Sequence, residues 1–263
     1  MMKDIFEKSN KIVIKIGSST ITSSDGSIDR NFIDNLAKQV KALVEQGKRV
    51  VLVSSGARIA GVSTIGKWSR KEDINYKQAL CAIGQVELMD SYRKIFNEYD
   101  IHIAQILLTR EDFESEARTL NIRNTLFTLL DEGVLPIINE NDTVCVEEIK
   151  IGDNDVLAAK ATALWSGDLL ILLSDIEGIY DKNPMSNDDA KLIEVVNNPE
   201  ELEKNISIGE KSSFGTGGIA TKIKAAKIVN KYGTSLIVAK GKEEDIILKL
   251  SEGKGKGTLF QAK

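Results

Sequence analysis

Short apolar runs recur along this chain with room for one helix between each and the next. Lys11–Ile16 (K-I-V-I-K-I), Arg49–Val53 (R-V-V-L-V) and residues 101–108, 134–138 and 168–173 (D-L-L-I-L-L) each have the length of a strand. Between the first two lies the stretch 29–46. There Ile33, Leu36, Ala37, Val40, Leu43 and Val44 form one apolar stripe at helical spacing, with Asp29 placed to cap and Gly47 placed to stop the helix. A strand, a helix and a strand so spaced close as a right-handed βαβ unit, which sets both strand-end turns at one edge of the sheet. The alternation continues with helices expected at 74–99, 119–131, Asp155–Trp165 and 219–231, a strand at 235–239 and a short helix near 243–250. An α/β chain with a mainly parallel sheet is therefore expected. No linker or repeat breaks it, so residues 1–263 are read as one domain of two lobes.

The polar residues fall in the turns after these strands. Lys15 stands near the end of the first strand and leads into Gly17-Ser18-Ser19-Thr20, a small-residue turn of the kind that accepts an anion. The second strand runs into Ser54-Ser55-Gly56-Ala57, read as a turn at the same edge. Residues 139–155 read N-E-N-D-T-V-C-V-E-E-I-K-I-G-D-N-D. Val144, Val146, Ile149 and Ile151 alternate loosely with charged residues, which predicts a hairpin that brings the two polar ends to one mouth. Ligands of open α/β sheets bind at such strand ends. Either cluster alone is also an ordinary turn, with Asp153 capping the following helix. Further on, Ser212-Ser213-Phe214-Gly215-Thr216-Gly217-Gly218 opens a helix. Unpaired N–H groups and glycines suit a phosphate there, and Lys222, about one turn in, leans back toward the helix start.

Composition removes several kinds of chemistry. A single histidine, His102, and two separated cysteines, Cys81 and Cys145, leave no zinc site and no Ser-His-Asp triad in view. Both thiols read as structural ones in a reducing compartment. A net charge of −4 argues against nucleic acid, and the N-terminal M-M-K-D-I-F-E-K lacks an apolar signal core, so a cytoplasmic protein is expected. Neither G-x-x-x-x-G-K-[ST] nor G-x-G-x-x-G occurs. What remains is two lysines, a glycine-rich helix start and a pocket of hydroxyl, amide and carboxylate. Phosphoryl transfer needs positioning and charge neutralisation more than a nucleophile. A carboxylate acceptor is already ionised at neutral pH and needs no base.

These motifs together resemble the amino-acid kinase family. The resemblance rests on K-I-G-S-S from Lys15, V-S-S-G-A from Val53, N-E-N-D from Asn139, I-G-D-N-D from Ile151, Ser174-Asp175 with Gly178-Ile179-Tyr180, and G-T-G-G-I-A-T-K from Gly215. It runs through the terminal G-T-L-F, and the order of the motifs is most similar to the branch that phosphorylates L-glutamate. The resemblance implies a three-layer αβα sandwich and transfer from ATP, with Mg²⁺, to the side-chain carboxylate of L-glutamate, the first step of proline synthesis. It implies that Ser55, Asp142 and Asn154 contact glutamate. Lys15, Gly17, Ser174, Asp175, Thr216, Gly217, Gly218, Ile219, Ala220, Thr221 and Lys222 would lie at the nucleotide, with no protein metal ligand. Lys15 and Lys222 would stabilise the transition state, and Asp155 would orient them. A buried Asp155 should then be paired with a lysine, because an unpaired buried carboxylate is costly.

The same resemblance implies lobes of about 1–165 for the acceptor and 166–263 for the nucleotide. It also implies a homo-oligomer (dimer or tetramer), often with feedback by proline, and leaves open a functional handover of product to glutamyl phosphate reductase. Many relatives carry a C-terminal PUA domain, and this chain resembles the short form without one. Two departures stand out: Arg58, where small or apolar residues are usual and which either alters the substrate pocket or, as expected here, reaches solvent, and Met185, where arginine is common. A kinase for another carboxylate, carbamate or a nucleoside monophosphate remains open, as does a non-catalytic amino-acid sensor.

Overall fold

The computed structural model describes the chain apart from residues 67, 68, 70–72, 146–153, 183, 185, 209–217 and 263, and apart from the side chains of 206–208. In chain order, its first elements are α1 (Met2–Lys8), β1 (Lys11–Ile16), α2 (Ser18–Ile21), α3 (Arg30–Glu45), β2 (Arg49–Val53), α4 (Ala57–Ile65) and α5 (Ile74–Asn97). Then come β3 (Ile103–Leu108), α6 (Glu116–Asp131), β4 (Leu135–Glu140), α7 (Asp155–Trp165) and β5 (Leu169–Ser174). The last are β6 (Val195–Val196), α8 (Pro199–Ile208), α9 (Gly218–Asn230), β7 (Ser235–Lys240), α10 (Ile246–Ser251) and β8 (Thr258–Phe260). The chain resolves into two compact units, one of Ile16–Asn154 and one of Met1–Lys15 with Asp155–Lys263.

In the Ile16–Asn154 unit the strand order is β3-β4-β2, and both pairings are parallel. Leu52 and Val53 lie opposite Ile137 and Ile138, so β2 and β4 finish nearly level. The Ser54 N–H then donates to the Ile138 carbonyl at 2.8 Å, which sets the turn after β2 beside Asn139. All six residues of β4 are buried, including Asn139 and Glu140. The strand therefore carries its polar end inside, where each such group needs a partner.

α4 is an element that the sequence reading did not assign, having read only Ser54–Ala57, as a turn. Its residues, A-R-I-A-G-V-S-T-I, show no apolar stripe because Ala57, Ala60 and Gly61 are its buried positions. What holds it is α5. A Cβ on Gly61 would stand 1.9 Å from the Leu80 carbonyl oxygen, and one on Gly84 would stand 1.7 Å from that of Ala57. The two backbones touch where each helix has a glycine, and side chains there would force them apart. Gly56, the residue before α4, has φ of 92° and would place a Cβ 2.9 Å from Ile21 Cγ2. The chain can enter α4 at this angle only with glycine.

The other unit has the strand order β1-β5-β7-β8-β6. β5 and β7 run parallel in register from Leu169–Ser235 to Ser174–Lys240, while β8 is antiparallel to β7 and parallel to β6. β5 is buried throughout, as its apolar run predicts. β1 is buried from Ile12 onward, and that burial includes Lys15 at 5% exposure. The α/β class with mainly parallel strands, expected from the sequence, is thus present in both units.

Gly84→Ala should destabilise the protein by about 1–3 kcal/mol or more, because a methyl group cannot enter the α4–α5 contact without backbone movement. Equilibrium urea unfolding checks this. A neutral Gly84→Ala would mean that the helices separate freely.

Candidate active site

The Ile16–Asn154 unit contains a cavity of about 500 Å³, open mouth included, lined by Ser18, Ser55, Gly56, Ala57, Arg58, Ile59, Cys81, Asn139, Asp142 and Asn154. All three residues expected to contact an acceptor, Ser55, Asp142 and Asn154, line it. Asn154 is held by two hydrogen bonds from its amide nitrogen, to the Ser54 carbonyl at 2.7 Å and to Asn139 Oδ1 at 2.8 Å. Asn139 Oδ1 also accepts the Glu140 N–H at 2.9 Å. Asn139 Nδ2 donates to Gln85 Oε1 at 2.8 Å, and Gln85 Nε2 donates to Gln105 Oε1 at 2.8 Å. The Ser54 hydroxyl meets the Tyr92 hydroxyl at 3.1 Å. The direction of this ladder is dictated at its end. A backbone carbonyl only accepts, so Asn154 must present its NH₂ to Ser54, and its Oδ1 is then the atom left to a ligand. The two ends of the 139–155 stretch meet through Asn139 and Asn154, while the hairpin residues 146–153 and the expected Asp153 cap lie outside the described residues.

Gln85, Gln105 and Tyr92 were not singled out from the sequence. One signal was present, since Cys81 and Gln85 are four residues apart on α5 and share a face. Arg58 was expected in solvent, but it is half-buried and lines the cavity. Burial pushes the Asp142 carboxyl above the usual carboxylate range, while the Cys81 thiol and the Arg58 guanidinium pull it partly back. Burial, with the Asp142 charge, pushes the Cys81 thiol up to about 12. Cys81 is therefore a neutral donor to Asp142 at physiological pH rather than a nucleophile.

The second constellation lies in the other unit and centres on Asp155, the first residue of α7, which is fully buried. Lys15 Nζ stands 2.7 Å from Asp155 Oδ1, and Lys222 Nζ stands 3.2 Å from Oδ2. Both lysine side chains are only 7% exposed. Thr221 Oγ1 donates to the same Oδ2 at 3.1 Å, and Lys222 Nζ also donates to the Gly218 carbonyl at 3.1 Å. The pairing expected of Asp155 is thus made twice. The Lys15 contact is the shorter of the two charge pairings. Two cations on one anion leave an excess positive charge in a nearly dry place. Such a place favours an incoming polyanion.

Of the remaining expected nucleotide residues, Ser174 ends β5, and its hydroxyl donates to Asp175 Oδ1 at 3.0 Å. Asp175 is exposed. Gly17 precedes α2, and its carbonyl accepts the Thr20 and Ile21 N–H groups. Gly218 begins α9, followed by half-buried Ile219, exposed Ala220 and half-buried Thr221. Thr216 and Gly217 lie outside the described residues. Among the described residues, no helix is long and apolar enough to cross a membrane.

The profile of the amino acid kinase family matches residues 10–240. The chain belongs to the amino acid kinase family. Within that family it is 63% identical to a protein named glutamate 5-kinase from Alkaliphilus metalliredigens strain QYMF, over all of this chain and 99% of that one. It is 60% identical to another of that name from Alkaliphilus oremlandii strain OhILAs, over 99% of each chain. A third, from Pelobacter propionicus, is 45% identical over 99% of this chain and 70% of its own. Among solved structures, a UMP kinase from Ureaplasma parvum superposes with a TM-score of 0.69 at 18% identity, over 97% of this chain and 99% of that one. A carbamate kinase from Giardia lamblia, solved with AMP-PNP, gives 0.67 at 15%, over 97% and 99%. At such low identity these structures speak for the fold alone. As a member of this family, the chain is a phosphotransferase that uses ATP.

Two outcomes test the electrostatics of this kinase. Asp155→Ala should cost on the order of 3–5 kcal/mol of stability, because it leaves two lysine ammonium groups buried without their carboxylate. Replacing Lys15, Asp155 and Lys222 together by Met, Leu and Met should cost less than Asp155→Ala alone. Thermal melts of both variants check this.

The raised carboxyl of Asp142 has its own consequence for pH. The folded chain holds that proton to higher pH than the unfolded chain, whose aspartate titrates near roughly 3.9. Raising the pH through this window therefore costs stability, and the charged Asp142 is a burden at neutral pH. Asp142→Asn should raise the melting temperature at pH 7, and the gain should shrink as the pH falls toward the ordinary aspartate range.

Proposed function

We propose that this chain transfers the γ-phosphoryl group of ATP to the side-chain carboxylate of L-glutamate, giving ADP and L-glutamyl 5-phosphate, the entry to proline synthesis. The observation that carries the reading is the near full-length likeness to two proteins named glutamate 5-kinase, at 63% and 60% identity. The chemistry of the cavity supports it independently. Asp142 and the Asn154 Oδ1 are acceptors suited to an α-ammonium group. The Ser55 hydroxyl and the start of α4 offer donors for carboxylate oxygens.

In the proposed reaction an oxygen of the side-chain carboxylate attacks the γ-phosphorus. The bond from that phosphorus to the β,γ-bridging oxygen breaks, and ADP leaves with the electron pair. No proton needs to move. Lys15 and Lys222 offset the charge that builds on the transferring group, and Asp155 keeps both ammonium groups aimed and apart. Mg²⁺ is assigned to the nucleotide, arriving as MgATP. The Asp155 oxygens are already engaged by two lysines, so the phosphates are the better ligands for a divalent cation. The Ile16–Asn154 unit is assigned the acceptor and the other unit the nucleotide, with Ser174, Asp175 and residues 216–222 at the latter. The same reading carries a homo-oligomer of two or four chains, inhibition by proline, transfer of the labile acyl phosphate to a reductase, and a cytoplasmic setting.

The test is Mg²⁺-dependent ADP release with L-glutamate, L-aspartate, N-acetylglutamate, carbamate and UMP as separate acceptors, and hydroxylamine present to trap an acyl phosphate. Turnover with L-glutamate and formation of its hydroxamate is expected. Turnover with one of the others alone would overturn the acceptor assignment. Lys222→Ala should lower kcat by about 10²–10³-fold with little change in KM for glutamate, since its contact belongs to the transition state.

A further inference from the structure

Among the described residues, the cavity is lined by two charged side chains of opposite sign, Arg58 and Asp142. They reach it from different elements. Arg58 is the second residue of α4, and Asp142 follows β4. The simplest role for Arg58 would be to neutralise Asp142, and it does act on that carboxylate. That role does not explain why both groups face the cavity. A pair meant only to cancel would do so better away from the ligand.

The amide ladder sharpens the question. Both N–H groups of Asn154 are donated inward, so Asn154 offers the ligand an acceptor only. Asp142 is also an acceptor. These two suit the ammonium end of an amino acid and repel its carboxylate. The carboxylate must therefore be read by the donors of the lining, where Gly56, Ala57, Arg58 and Ile59 bring the start of α4 to the cavity. Gly56 offers no side-chain cap, so the first N–H groups of that helix are available there. The guanidinium of Arg58 adds a full charge and a planar set of donors at the same place.

Of the two carboxylates of the substrate, one must react. A guanidinium clamped on the reacting carboxylate would withdraw charge from the nucleophile and slow its attack. We infer that Arg58 binds the α-carboxylate of the amino-acid acceptor, forming with Asp142 a charge pair matched to the zwitterion. This inference rests on the proposed reading of the cavity as the glutamate site. It names a specificity-determining residue that distinguishes an amino acid from an acceptor lacking the α-carboxylate.

The test compares L-glutamate with L-isoglutamine, whose α-carboxylate is an amide and whose side-chain carboxylate is intact. Hydroxamate formation is measured for the unaltered chain, Arg58→Met and Arg58→Lys. Arg58→Met should raise KM for glutamate by about 10–100-fold, the range expected for loss of a charged hydrogen-bonded contact. It should leave KM for ATP unchanged and KM for isoglutamine within about threefold. The preference of the unaltered chain for glutamate should collapse, and Arg58→Lys should restore part of it. Equal losses for both acceptors would overturn the inference and reduce Arg58 to a partner of Asp142. So would no loss for either. If the unaltered chain forms no hydroxamate, the reaction assigned above fails, and calorimetric binding of the same two compounds to the same three proteins still decides Arg58. Selectivity lost on binding in Arg58→Met supports it, and equal binding of both compounds by the unaltered chain overturns it.

Discussion

The carboxylate of Asp155 is the point on which the Met1–Lys15 and Asp155–Lys263 unit depends. It gathers Lys15 from the end of β1 and Lys222 from the first turns of α9, segments more than two hundred residues apart in sequence. Each lysine is almost fully buried, and a buried ammonium without an anion would shed its proton or open the structure. The apolar strands around them are what a parallel sheet would bury in any case. Replacing the three charged groups with apolar ones would leave a well-formed core, which argues that the cluster is kept for chemistry rather than for stability. Lys222 donates to Asp155 and Gly218, and in the proposed reaction its third N–H group serves a phosphate oxygen. The lysine is thereby aimed before any ligand arrives. That is the economy of preorganisation, since little has to be reoriented at the moment of reaction.

The cavity of the Ile16–Asn154 unit solves a different problem by neutral means. Its orientation is carried by a chain of amides, Gln105 to Gln85 to Asn139 to Asn154, ending on the carbonyl of Ser54. Every link has one sense, because the terminal carbonyl cannot donate. Such a chain gives a fixed pattern of donors and acceptors without placing more charge in a confined space. The two charged groups that do line the cavity, Arg58 and Asp142, are then free to be matched against a ligand. The α4–α5 contact underlies this arrangement. Gly61 and Gly84 let α4 lie close enough to α5 for Arg58, from one helix, and Cys81, from the other, to line the same cavity.

Much of this was legible in the residues. β1, β2 and α7 have the bounds that their apolar runs predict, because a buried parallel strand and a buried helix both announce themselves by continuous or striped apolarity. The meeting of Asn139 with Asn154 was legible as two polar clusters converging. α4 was not, because its buried face is made of alanine and glycine, which carry little hydrophobic contrast. Its helicity is settled by contact with α5, a tertiary fact. Arg58 was expected in solvent because arginine is rarely buried, whereas on the first turn of a helix entered through Gly56 it lines the cavity. The amide ladder was hidden because glutamine on a helix face is ordinarily solvated, and only the folded positions of Asn139 and Gln105 give Gln85 its partners.

The pair Asn154-Asp155 shows how narrowly the chemistry is tied to residue type. An aspartate at 154 would set one carboxylate oxygen, which cannot donate, against both the Ser54 carbonyl and Asn139 Oδ1, where the two N–H groups of Asn154 Nδ2 now donate at 2.7 and 2.8 Å. The amide ladder would have to reverse, and it cannot, because a carbonyl fixes its end. An asparagine at 155 would keep the shape and lose the charge that holds two buried lysines. It could accept from only one of them through its oxygen, and its NH₂ would face the other ammonium. The two side chains differ by one heavy atom, yet exchanging them would undo both constellations. A chain that needs only polarity at these positions would tolerate the exchange. One that must orient a ligand by acceptors at 154 and hold cations by charge at 155 cannot.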